Sequence, residues 1–159
     1  MVGRWAGVVV VAVVSLSTAC AAAPDAQPLD LRDRDACALL GAEALEGLGL
    51  GVGVRDPETA GCAWRTLDDQ ADLTLVLSTR AGLDPDSQRI VPPVPLTVEG
   101  YPAKRVDPLD APNCRIVVGV AATQSFAAEA AERSSGAPRL CDLARRLAAE
   151  AVRALQPSR

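Results

Sequence analysis

Two periodicities divide this chain. Between Asp72 and Thr79, Leu73, Leu75 and Leu77 alternate with Asp72, Thr74 and Ser78. A period of two predicts a half-buried strand. Cys114–Ala121 repeats the pattern, with Cys114, Ile116, Val118 and Val120 on one face. Gly61–Leu67 predicts a third strand, joined to the first by the acidic turn Asp68-Asp69-Gln70. Leu96–Val98, the turn Glu99-Gly100 and Tyr101–Val106 predict a short hairpin. Gln124–Glu132 is rich in Ala and Glu, which favour helix, yet Phe126, Ala128 and Ala130 alternate; we read it as strand. Arg80–Pro95 carries Pro85, Pro92, Pro93 and Pro95. A proline cannot donate to a ladder, so this stretch is expected to be loop.

Helical spacing marks the two ends of the folded region. Asp35 is a plausible N-cap for one helix carrying Cys37, Leu40, Ala44, Leu45 and Leu48 on a single face. Gly47, Gly49, Gly51 and Gly53 end it, because each glycine costs a helix about 1 kcal/mol. The glycine alternation lacks the strand–turn–helix context of a dinucleotide loop. A last helix, Arg139–Leu155, is expected to open on Pro138 and to bury Leu140, Cys141, Ala144, Leu147, Ala151 and Leu155. Asp142, Arg146, Glu150 and Arg153 fall on its other face, which reads as a solvated, ion-paired surface. The expected fold is α+β: an antiparallel sheet packed against an N-terminal and a C-terminal helix, held by two disulfides.

The N-terminal segment has a different character. Met1–Arg4 is positively charged, Trp5–Leu16 is apolar or small throughout, and Ser17-Thr18-Ala19 leads into Cys20. That order describes a secretory signal peptide. Small residues before a cysteine resemble the lipobox of bacterial lipoproteins, with Ser17 standing where leucine is usual. The expectation is a signal peptide over 1–19, acylation of Cys20, a tether over 20–32 and one extracytoplasmic domain over 33–159. Two alternatives are simple secretion after Ala21-Ala22-Ala23 and an uncleaved anchor. Ala21–Arg32 has no apolar period; as a twelve-residue tether it would extend about 40 Å.

Composition narrows the chemistry. At 159 residues the chain has room for one domain. It contains no histidine, so no Ser-His-Asp triad, Cys-His pair or imidazole metal site can form. Four aromatic residues leave little for stacking. The net charge is −4, and cleavage before Cys20 would remove Arg4 and no acidic residue. An acidic exported domain has no electrostatic reason to bind nucleic acid, and membrane attachment would fall to the lipid.

The ordered set of Cys20, Cys37-Ala38-Leu39-Leu40, Cys62-Ala63-Trp64, Gly100-Tyr101-Pro102-Ala103, Cys114-Arg115-Ile116-Val117-Val118 and Cys141-Asp142-Leu143-Ala144 carries a family likeness. It resembles the small actinobacterial lipoproteins grouped as a family of unknown function. The resemblance covers nearly the whole mature chain. It implies a lipid-anchored extracytoplasmic α+β domain and supplies no catalytic residues.

No catalytic constellation can be assembled from the residues. Asp68/Asp69, Asp84/Asp86 and Asp107/Asp110 are paired carboxylates in expected turns, where aspartate serves turn hydrogen bonds. Asp84-x-Asp86 lacks the continuation of a calcium loop. Lys104, the one lysine, has no Ser-x-x-Lys around it. Cys37, Cys62, Cys114 and Cys141 form no Cys-x-x-Cys pair, and export favours disulfides over metal. We expect Cys37–Cys62 and Cys114–Cys141, each pinning a helix to a strand; the nested pairing Cys37–Cys141 with Cys62–Cys114 stays open. The expected function is a membrane-anchored, non-catalytic module that binds an unknown ligand or partner in the cell envelope, either an envelope protein or an apolar molecule, without cofactor or metal. The alternatives are a carrier of a lipid or other apolar ligand, and an enzyme.

Overall fold

The computed structural model describes residues 26–59, 61–83, 92–106, 112–133 and 139–157. The expected signal segment, the expected acylation site Cys20, and Asp84, Pro85, Asp86, Asp107, Asp110 and Pro138 lie outside them. Seven strands form one antiparallel sheet: β1 (Val54–Arg55), β2 (Cys62–Arg65), β3 (Ala71–Ser78), β4 (Val94–Val98), β5 (Tyr101–Val106), β6 (Asn113–Ala121) and β7 (Gln124–Glu132). Their order across the sheet is β1-β2-β3-β7-β6-β5-β4. Among the described residues, three helices accompany it: α1 (Ala36–Leu39), α2 (Ala42–Leu48) and α3 (Leu140–Leu155). The α+β architecture with its two disulfides is the one the periodicities predict. Among the described residues no helix is long and apolar enough to cross a membrane.

α3 lies across β6, β7 and β3. Its inward stripe of Ala144, Leu147, Ala148, Ala151, Val152 and Leu155 is fully buried, while Leu140 is only half-buried. Beneath it run Leu73 and Leu75 of β3, Ile116 and Val118 of β6, and Phe126, Ala128 and Ala130 of β7. The alanines of β7 are therefore core residues. Pairing with β3 on one side and β6 on the other satisfies this segment's backbone in a strand, and tertiary context overrides its helical composition.

Four expectations need correction. The first helix is two: α1 ends at Leu40, whose backbone is extended, and α2 begins after Gly41. The break turns Leu40 into the core, while Asp35 caps α1 by accepting from the Cys37 N–H at 2.9 Å. Pro95 lies inside β4, contrary to the expected loop. β4 is an edge strand, where a missing N–H costs nothing on the open side. β1 went unpredicted, being two residues long. Part of the stretch expected to be a tether is docked instead, because Leu29 and Leu31 belong to the core and Leu31 is only 1% exposed.

The expected glycine stop falls at Gly49, while Gly47 is accommodated inside α2, and the expected Glu99-Gly100 turn forms. Gly49 ends α2 in the left-handed conformation, its N–H donating to the Glu46 carbonyl. Glu99 and Gly100, both at positive φ, join β4 to β5 with Val98 opposite Tyr101, the two-residue hairpin that suits a right-handed twist.

Candidate functional site

The disulfides define what is rigid. Cys37–Cys62 joins α1 to β2 and Cys114–Cys141 joins β6 to α3. Each thus ties one helix to the sheet, and the nested pairing does not form. Cys62 and Cys114 are buried in the core, whereas Cys37 and Cys141 are half-buried.

Against this frame, one end of the sheet carries a cleft of about 280 Å³. Leu48 and Gly49 at the end of α2, Leu143 in the first turns of α3, and the β2–β3 turn form its walls. Thr66 organises that turn: its hydroxyl accepts from the Gln70 and Ala71 N–H groups at 3.1 and 3.0 Å and donates to the Ala71 carbonyl at 3.1 Å. The Asp68 carboxyl is held below its ordinary pKa, first by the Thr66 hydroxyl and then by the Gln70 N–H. Beside it, Arg65 and Arg133 both face Asp69 and Asp72 at 3.2–3.5 Å. The expected acidic turn is therefore a structural knot whose carboxylates are already engaged. Its other aspartate, Asp69, takes the positive φ the turn requires.

Apolar side chains rim this end and the adjoining edge. Leu67 is 76% exposed, Val54 68% and Val52 90%. The Leu67 N–H donates to the Gly49 carbonyl at 2.8 Å and the Gly51 N–H to the Arg65 carbonyl at 2.9 Å. The glycine-rich loop is thereby stitched to β2 and cannot fold its valines inward. Val52 and Val54, two residues apart around Gly53, carry the alternation of an edge strand in the sequence.

A second surface runs along the outer face of α3, beside an open hollow of about 680 Å³ lined by Arg139, Asp142, Arg145, Arg146, Glu150 and Arg153 among others. Arg153 pairs with Glu150 and Glu99, both at 2.7 Å. Arg146 donates to the Gly47 carbonyl. Arg145 has no ion-pair partner among the described residues. The face is largely the ion-paired surface expected of it.

Comparison with protein families is decisive at the level of family. The model described as "Protein of unknown function (DUF3558)" matches residues 12–154. The chain belongs to that family. No curated protein and no solved structure matches it. In this DUF3558 chain the matched span includes both disulfides, the cleft and the apolar rim.

Proposed function

We propose that this DUF3558 chain is a lipid-anchored protein of the cell envelope, acylated on Cys20, whose domain is a non-catalytic module binding a protein partner. The observation that carries the binding reading is the exposed apolar rim of Val52, Val54 and Leu67 beside the cleft. Large exposed apolar side chains gathered on a rigid scaffold are characteristic of interaction surfaces. The anchoring reading is supported by the charged, apolar and small-residue order of Met1–Cys20. Two disulfides favour the same compartment, since they persist where thiols are not kept reduced. The cleft of about 280 Å³ sits at the bottom of the size range for small-molecule sites, and the larger hollow along α3 is lined mainly by charged side chains, so neither favours an apolar cargo over a protein partner.

Metabolic labelling with a fatty-acid probe tests the anchor: wild type takes label and fractionates with membranes, and Cys20→Ser does neither. Equal labelling of both sinks it. A photo-crosslinker at position 67 or 52 of the membrane-attached protein tests the surface. The expected result is a crosslinked neighbour that a crosslinker at position 123 does not capture. Native mass spectrometry finding a co-purified apolar molecule, with no position-dependent neighbour, would establish the carrier instead.

A further inference from the structure

We infer that the domain stands upright on the membrane, with the end bearing the β4–β5 and β6–β7 turns facing the bilayer and the cleft end turned outward. This rests on the anchoring at Cys20 proposed above. The chain between anchor and domain is short because its second half is docked. Ala26 packs against the core. The Tyr101 hydroxyl donates to the Gln27 carbonyl at 2.6 Å, the Leu29 N–H to the Val120 carbonyl at 3.0 Å, and the Leu31 N–H to the Gln124 side-chain carbonyl at 2.6 Å.

These partners share one end of the sheet. Tyr101 opens β5, Val120 lies next to the last residue of β6, and Gln124 opens β7. The β2–β3 turn and the cleft lie at the opposite end, as Ala71 begins β3 and pairs with Glu132 at the far end of β7.

Reach then decides the orientation. Six residue steps from Cys20 to Ala26 span at most about 21 Å. The nine residues of β6 extend about 26 Å at a rise of about 3.3 Å each. A linker shorter than the sheet cannot let the domain turn over, cleft end on the bilayer and docked end outermost, while residues 26–31 stay docked.

The test uses full-length protein purified with its anchor and reconstituted into phosphatidylcholine–phosphatidylglycerol vesicles doped with a dansyl-headgroup lipid. Thr123→Trp and Leu67→Trp place a donor at each end, both at exposed positions, and wild-type fluorescence is subtracted. Energy transfer several-fold greater for Thr123→Trp is expected. A Gly-Ser insertion as long as β6, placed between Asp25 and Ala26, should erase the difference. Vesicle-bound protein with equal transfer from both positions, or greater transfer from Leu67→Trp, overturns the orientation; so does a difference that survives the insertion. Protein that fails to float with the vesicles overturns the anchoring itself, an outcome read separately from transfer.

Discussion

Gly53 lies directly over the indole of Trp64. A Cβ at Gly53 would stand 2.5 Å from Trp64 Nε1 and 2.7 Å from the Cys62 sulfur, and both side chains are buried beneath it. Neither can move aside, since Trp64 is packed in the core and Cys62 is bonded to Cys37. Gly53→Ala should therefore destabilise by about 1–3 kcal/mol through overpacking. Gly47→Ala should act in the opposite sense. Nothing lies within 4 Å of a Cβ there, and the residue sits within α2. The gain in helix propensity is about 0.5–1 kcal/mol. Urea unfolding of the two variants reads both signs.

Each disulfide closes a loop of similar size, with sequence separations of 25 and 27. The chain-entropy relation assigns loops of that length about 3–4 kcal/mol. Replacing Cys37 and Cys62 together by alanine, or Cys114 and Cys141 together, should lower stability by comparable amounts. Peptide mapping without reductant should recover the two helix–strand links and no peptide joining Cys62 to Cys114.

Leu31→Ala separates a docked segment from a free tether. With Leu31 buried to 1% exposure, truncation should cost about 2–4 kcal/mol in unfolding free energy. The same variant in a solvated linker would be neutral, so a neutral result would return residues 26–31 to the tether.

Asp30 links this docking to acidity. Hydrogen bonds from the Arg32 side chain, foremost, and from its backbone N–H hold the Asp30 carboxyl far below the ordinary carboxylate range. A carboxyl depressed in the folded state adds stability above its ordinary pKa and loses that contribution as pH falls through the folded value. The stability difference between wild type and Asp30→Asn should therefore be constant from pH 5 to pH 9, a range in which the chain has no histidine to titrate. It should shrink steadily below about pH 4. Denaturant midpoints across pH measure it; a difference that grows on acidification would contradict the pairing.

Local pattern determined much of this protein. The alternations at Leu73–Leu77 and Cys114–Val120, the Glu99-Gly100 turn and the apolar stripe of α3 are visible in sequence because side-chain direction repeats every two residues in a strand and every 3.6 in a helix. The disulfide partners were legible because two cysteines lay on expected helices and two on expected strands. Strand order could not be read this way, and several features depend on it. Pro95 is tolerated because β4 is an edge, and the alanines of β7 form a strand because β3 and β6 flank it. Val52 and Val54 stay in solvent because β1 is the other edge. Leu29 and Leu31 alternate with Asp30 and Arg32, a pattern too short to distinguish from a polar tether. Only the partners Val120 and Gln124, some ninety residues away, make that segment part of the core. Side-chain periodicity is a property of neighbouring residues, whereas edge, centre and docking are properties of contacts between distant ones, which form only when the whole sheet closes over α3.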